Sequence, residues 1–501
     1  MKHVKQLLSA LLVLAVVLSL LPAGVLKASA AEAPAALDIG YPTFKNTELL
    51  DEVYDLSKLG VSYSEKDIMM AIYKQDLANG GDSFYMDRIL AREGVCSGNA
   101  GSNGNADGNT FLTRGRALYM YTSSPSVIGF GGNTAYHQPL GRGNLVRVLF
   151  SNADGSLTTK EDTSKRVNAP SNWSSTYSVG SNLTLDVVKF IHQENVAVTT
   201  MTLTNKSAED QAITVAADST FATEPGKVTV NGAEQTELTG TCSSPAGLTT
   251  IYARMTGDGF EAASSDDYCW LSRDVTVPAG GSVELKVVIA FTTEEIPEST
   301  EQYLRFAGLG NLEAVRAQKA EYNLYWAENL PYIDVPKKAV QKAIDYRWWL
   351  ERFNSLDANI PGYDYQYPVT IEGVLGYNNA IILTQPMHLQ DTKWLRSPYL
   401  AYGQLLSAGN SSQSSAFLDN PGNRNNWNNH YGQYLAEAGY EAFNVIGGGA
   451  EVAENFAYYF GHDATGQLEH YGNHIEGRDL IAYRNNYMTG NDADTISMHA
   501  P

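Results

Sequence analysis

Between Phe111 and Thr293 the chain repeats short runs in which apolar, often β-branched residues alternate with polar ones. Such runs occupy Ala117–Tyr121, Leu145–Phe150, Leu183–Phe190, Val196–Leu203, Ile213–Ala217, Lys227–Val230 and Thr249–Ala253. A period of two is that of a strand with one face buried, so this stretch predicts β structure. Two reversals are legible: Gln193-Glu194-Asn195, and Pro278-Ala279-Gly280-Gly281 between Asp274–Val277 and Val283–Val287. Many strands at short spacing predict a large antiparallel sandwich over residues 110–296.

After Pro297 the pattern changes to helical. Glu301–Ala327 is rich in Glu, Ala, Leu, Arg and Lys and predicts a long linking helix broken near Gly308-Leu309-Gly310, within a linker region 297–334. Helical segments follow at Ala339–Phe353, Trp394–Ser407, Asn428–Val445 and Ala450–Phe460, separated by loops dense in Asn, Gly, Asp, Tyr and Trp. Helices that hold a frame while polar and aromatic loops carry recognition suit a catalytic toroid. At roughly 12 residues per helix plus loops, residues 335–501 fill only about half of a closed ring of paired helices. The expected class is therefore multidomain, β then α: an N-terminal antiparallel β-sandwich followed by the first part of a truncated (α/α)6 toroid.

The amino terminus changes the picture of where the chain works. Lys2 and Lys5 precede an apolar run from Leu7 to Leu21, and Ala28-Ser29-Ala30 follows. That order predicts a secretory signal peptide, residues 1–30, with cleavage after Ala30 and a secreted or cell-surface product. The run is short, ends in Pro22 and Gly24 and lacks stop-transfer charges, so membrane insertion is not expected. Residues 31–109 read as a partly irregular N-terminal segment ending in the loop-like run Gly98–Asn105.

The whole chain of 501 residues carries a formal charge of −20. Loss of Lys2, Lys5 and Lys27 with the leader takes that to −23, which disfavours nucleic acid and anionic lipid as partners. Cys96, Cys242 and Cys269 are too few for a disulfide scaffold; Cys242 and Cys269 share the β-rich region and are a candidate pair.

Candidate chemistry concentrates in the helical half. Glu372 lies among aromatics, amides and glycines in Tyr365–Asn379, a composition that suits a sugar subsite and brings in Tyr377 and Asn378. The plainer alternative is a helix N-terminus capped by Thr370 or Glu372. In Gln385–Arg396, Asp391 beside Lys393 and near Arg396 is expected to stay ionised by charge pairing and to bind or orient hydroxyls with Lys393, Trp394 and Arg396. Asp391 also reads as the N-cap of a helix starting near Lys393.

Further along, Trp427, Asn428, His430 and Tyr431 sit in a run of amides around a Trp, a turn or a sugar contact. His470 and His474 are four apart, with His462 upstream, but no third ligand completes a metal set, so no metal and no cofactor is expected. Asp492 and Asp494 stand in a Gly/Asn loop that suits a turn, calcium ligands or an acid presented to substrate. Glycoside hydrolysis needs two carboxylates flanking one bond, and Glu372 with Asp492 or Asp494 are the candidates.

Over roughly Thr113–Pro501 the sequence resembles the six-hairpin (α/α)6 glycoside hydrolases with an N-terminal β-sandwich, in particular the β-L-arabinobiosidase type and its trehalase- and α-glucosidase-like relatives. The resemblance rests on the sandwich-to-toroid order, the linking helix, Ile371-Glu372-Gly373, Asp391–Arg396 and Thr489–Asp494. It implies a carbohydrate substrate, Glu372 binding or polarising it, an acid of the Asp492/Asp494 pair as proton donor, and a second catalytic acid beyond Pro501. Two other readings stand beside it. One is a polysaccharide lyase using Asn429, His430 and Tyr431; the other is a glycan-binding surface protein without activity.

Overall fold

A computed structural model of the chain describes residues 33–40, 109–110, 114–122, 126–243, 249–266, 268–331, 335–360, 366–371, 380–382, 384–412, 434–470, 473–475, 480–483 and 497–499. The expected signal peptide, Cys96 and the Gly98–Asn105 run lie outside them. So do Glu372, Tyr377, Asn378, Trp427, Asn428, Asn429, His430, Tyr431, Asp492 and Asp494.

The β module consists of two eight-stranded antiparallel sheets. The first runs β1 (Asn109–Thr110), β2 (Leu118–Thr122), β3 (Gly129–Tyr136), β4 (Gln138–Asn152), β10 (Gln211–Asp218), β15 (Tyr268–Val277) and β14 (Glu261–Ser265), with β5 (Gly155–Ser156) paired to β4. The second runs β11 (Glu224–Val230), β12 (Ala233–Ser243), β13 (Thr250–Gly257), β16 (Ser282–Thr292), β9 (Val196–Asn205), β8 (Leu183–His192), β7 (Trp173–Val179) and β6 (Thr159–Asn168).

Strand β16 shows why its C-terminal half is apolar without interruption. Leu285, Val287, Ile289 and Phe291 enter the core between the sheets. The intervening Val288 and Ala290 pack on the outside against Tyr303, Phe306 and Ala314 of the helices that follow. A strand covered on both faces loses the polar alternation that an exposed face would impose. The second sheet is thus the middle layer of three.

Both predicted reversals are present. The β8–β9 turn places Asn195 at φ 62°, a left-handed conformation that Asn tolerates. Its side-chain oxygen accepts from the backbone N–H groups of Ala117 and Leu118, each at 2.8 Å, and so ties the second sheet to the start of β2. Cys242 in β12 and Cys269 in β15 belong to different sheets and are both free thiols, so the candidate disulfide is not formed.

The linking helix is two helices, α1 (Pro297–Gly308) and α2 (Asn311–Asn329), interrupted where expected. Asn231, in the β11–β12 turn, donates to the Gly308 carbonyl at 3.0 Å, and a Cβ on Gly308 would lie 2.6 Å from that side chain. Restarting α2 at Asn311 is helped by Glu313, which accepts the Gly310 N–H at 3.0 Å.

Helix α3 (Lys338–Asn354) follows, then β17 (Ser355–Leu356) paired with β18 (Val369–Thr370), α4 (Gln385–Thr392), α5 (Tyr399–Ser412), α6 (Leu435–Ile446) and α7 (Ala450–His470). Three expectations need correction. Thr370 lies in a strand, not at a helix start. The helix expected from Trp394 begins at Tyr399, because the residue before a proline is kept out of the α region and Ser397-Pro398 interrupts it. Asp391 is the penultimate residue of α4 rather than an N-cap. In addition, His470 ends α7 while His474 lies in β19 (Asn473–Ile475), so the two do not share a helix face.

Candidate functional site

Two concavities among the described residues bear on function, and they differ in kind. The first lies where the sandwich meets α2 and α3 and has a volume of about 70 Å³. Ligand pockets are roughly 300–1,000 Å³, so this cavity admits small molecules such as water rather than a sugar. Its walls are an ionic joint. Arg116, just ahead of β2, reaches Asp357, just past β17, at 2.5 Å, and also lies 3.5 Å from Glu194 in the β8–β9 turn. Tyr399 at the start of α5 donates its hydroxyl to the same Asp357 carboxylate, and the Asn359 N–H adds a contact at 3.2 Å. Burial pushes the Asp357 carboxyl above its ordinary range, against the pull of the Arg116 guanidinium.

Beside it, His192 meets Glu321 of α2 at 2.8 Å, and Arg305 of α1 meets the other oxygen of Glu321 at 2.6 Å. Burial alone would lift the Glu321 carboxyl, but the hydrogen bond from His192 and the charge of Arg305 hold it below its ordinary value. Arg352 of α3 lies over the rings of Tyr325 and Tyr322 at 3.8 and 4.4 Å and donates to Gln193 at 3.0 Å. Arg116–Asp357 and Arg352–Gln193 tie the helical half to the sandwich, His192–Glu321 ties the sandwich to α2, and Arg305–Glu321 ties α1 to α2. Gln193 and Glu194 were legible only as turn residues, and the others were not singled out, because isolated Arg, Asp and His residues in turns and helix ends carry no periodic signal.

The second concavity is an open cleft of about 800 Å³ on the helical half. Arg396, Tyr402, Gly447, Gly448, Glu451 and Glu454 are among the groups that line it, together with residues 34–39. Its floor is shaped by the Gly447-Gly448-Gly449 turn between α6 and α7. Gly447 and Gly448 have φ of 83° and 144°, conformations that glycine adopts without strain. Tyr402 of α5, buried, donates its hydroxyl to the Gly447 carbonyl and pins the turn in place.

Of the sequence-predicted residues that are described, two are engaged and two are open. Asp391 forms a two-pronged pair with Arg347 of α3, at 3.0 and 2.5 Å, and its carbonyl accepts from the Trp348 indole at 3.0 Å. Its charge partner is therefore Arg347 rather than Lys393 or Arg396. Lys393 is buried and reaches Glu441 of α6 at 2.7 Å. Both residues tie α4 to its neighbours.

Trp394 is 53% exposed, and Arg396, also exposed, enters the cleft. Glu351 of α3 adds a buried acid, 2.8 Å from His388 of α4, and burial raises its carboxyl above the ordinary value. Among the described residues, no group of three His, Cys, Asp or Glu is placed to hold a metal, and no helix is long and apolar enough to cross a membrane.

No family model matches the sequence. Among solved structures the chain is similar to a family GH92 inverting mannosidase from Bacteroides thetaiotaomicron, at 12% identity and a TM-score of 0.46, over 78% of this chain and 56% of that one. It is similar to a chain named as a kojibiose phosphorylase from the human microbiome, at 11% identity and a TM-score of 0.43, over 60% of this chain and 46% of that one. A family GH92 α-mannosidase from B. thetaiotaomicron matches at 12% identity and a TM-score of 0.32, over 72% of this chain and 52% of that one. The chain spans about half the length of each of these structures.

Proposed function

We propose that this protein is an exported glycoside hydrolase whose helical half is part of an (α/α)6 toroid and whose substrate is a polysaccharide or glycan. The observation that carries the reading is the open cleft of about 800 Å³ on that half, entered by Arg396, one of the residues expected to contact sugar. Its size is that of a ligand site, and a guanidinium together with carboxylates supplies the donors and acceptors that hydroxyl groups need.

In this reading one acid of the Asp492/Asp494 pair protonates the leaving oxygen, and Glu372 binds or polarises the substrate across the same bond. Trp394 and Arg396 contact substrate, and Trp427, Asn428, His430 and Tyr431 with Tyr377 and Asn378 complete the recognition surface. The leader ends at Ala30.

Reducing-end assays over a panel of plant and microbial glycans test the activity. Glu372→Gln, Asp492→Asn and Asp494→Asn are then compared with the parent. Loss of a proton-transfer group lowers kcat by about 10²–10⁴-fold. Full turnover in all three variants ends the catalytic assignment. Saturable glycan binding with no cleavage of any substrate replaces hydrolysis with recognition alone.

A further inference from the structure

Residues 33–40 lie against the helical half as an extended segment, far in sequence from everything they touch. Their exposure alternates: Leu37 and Ile39 are half-buried, while Ala36, Asp38 and Gly40 are exposed. The inward pair packs on the apolar cluster of α5, α6 and α7 that includes Leu405, Ala438, Phe443 and Phe456. The Leu37 carbonyl accepts the Tyr367 hydroxyl at 3.0 Å, and Asp38 accepts the Gly40 N–H at 2.9 Å. Two apolar anchors and a hydrogen bond to a buried tyrosine seat the segment in one register.

With the segment seated, the cleft beside it keeps its volume of about 800 Å³, so the segment forms a wall rather than a plug. The charged side chains along the cleft are Asp38 from the segment, Arg396, Glu451 and Glu454. Three carboxylates facing one guanidinium give an acidic surface that repels a polyanion. The same groups accept and donate hydrogen bonds to uncharged hydroxyls.

We propose that Pro34–Ile39 forms one wall of a subsite for neutral oligosaccharides in the cleft between it, Arg396 and the α6–α7 turn, and that this subsite discriminates against uronate chains. The proposal rests on the reading that the protein acts on glycans, and it adds which residues select them.

The test uses the full chain, titrated calorimetrically with neutral gluco- and manno-oligosaccharides and with oligogalacturonate, alongside reducing-end assays. Ala36→Trp pushes an indole into the cleft from an exposed position, and Asp38→Asn removes one charge without changing shape. Thermal melting controls for folding.

The parent is expected to bind a neutral oligosaccharide and not oligogalacturonate. Ala36→Trp should weaken neutral binding by about tenfold or more, equivalent to about 1.4 kcal/mol, at an unchanged melting temperature. Asp38→Asn should narrow the preference for neutral over acidic chains. Three results would overturn the proposal: unchanged affinity in Ala36→Trp, equal binding of oligogalacturonate by the parent, or no neutral binding at all. If hydrolysis persists unaltered in Ala36→Trp, the hydrolase stands and the subsite falls. If binding is lost in Ala36→Trp from a chain that cleaves nothing, the subsite stands and the hydrolase falls.

Discussion

Glu161 in β6 shows how a single buried acid is kept charged. Its side chain is only 3% exposed, yet it accepts from Arg166 at 2.8 and 2.5 Å, from Ser126 at 2.5 Å and from Ser175 at 2.6 Å. Burial opposes ionisation, but the hydrogen bonds from Arg166, Ser126 and Ser175 outweigh it and hold the carboxyl at about 2, below its usual 4.5. A depressed acid contributes stability that is complete above the unfolded value and is lost as the pH falls through the folded one. The stability of the β module is therefore expected to decline between about pH 4.5 and about 2, measured by denaturant unfolding across that range. Glu161→Gln should lower stability at neutral pH and flatten the acid slope; a slope identical to the parent's would remove Glu161 as its source.

Residues of this kind mark the limit of what the chain reveals by itself. Asn195 and Asp391 illustrate the difference. Asn195 was legible as a turn residue because its type tolerates a left-handed backbone, whereas its two hydrogen bonds to residues 117 and 118 depend on the sandwich being closed. Asp391 was legible as a paired acid, but local reading favoured Lys393 and Arg396, its sequence neighbours. Its partner, Arg347, is 44 positions away and is brought close only by the packing of α3 on α4.

At the level of elements, close approach decides more than propensity. Helix α5 crosses β18 where Gly403 faces Pro368: a Cβ on that glycine would stand 2.2 Å from the proline ring and 3.1 Å from its carbonyl. Gly403→Ala is accordingly expected to destabilise by about 1–3 kcal/mol through overpacking, read as a lowered denaturation midpoint. That cost would outweigh the helix propensity alanine contributes, about 1 kcal/mol. A stabilised variant would mean that α5 can shift outward freely.

Helix existence followed from the change of period after Pro297, and α3 was anticipated within a residue at each end. The start of α5 was misplaced because apolar periodicity continues through Ser397-Pro398, where backbone sterics forbid the helix. β17 and β18, at two residues each, are too short for any alternation to be counted.

Considered whole, the molecule is two modules joined through charged side chains around a small cavity and through an apolar cluster that sets Tyr119 and Ala135 of the first sheet against Trp326 of α2 and Trp349 of α3. Removing one partner of a buried ion pair typically costs about 3–5 kcal/mol, because the remaining charge is left unsatisfied. Asp357→Asn is expected to reach the lower end of that range, since Tyr399 and Arg116 lose this carboxylate while Arg116 keeps Glu194 at 3.5 Å. Differential scanning calorimetry should then show the helical half melting ahead of the sandwich; a single transition at the parent's midpoint would mean that apolar packing alone joins the modules. The order of sandwich then helices was legible in the sequence. The joint was not, because it is assembled from β2, the β8–β9 turn, α2, α3 and α5, which only the fold brings together.

The position of the second sheet as a middle layer bears on where this protein can be divided. Residue 296 looks like a natural place to cut, since strands end and helices begin there. A fragment stopping there would strip the cover from Phe190, Val198, Val288 and Ala290, leaving a greasy outer surface. Such a fragment is expected to elute as aggregates in size-exclusion chromatography, while one carried through Asn329 keeps both linking helices and should run as a monodisperse species. The linker is in this sense part of the β module's own coat, and any transplanted β module should carry it with the strands.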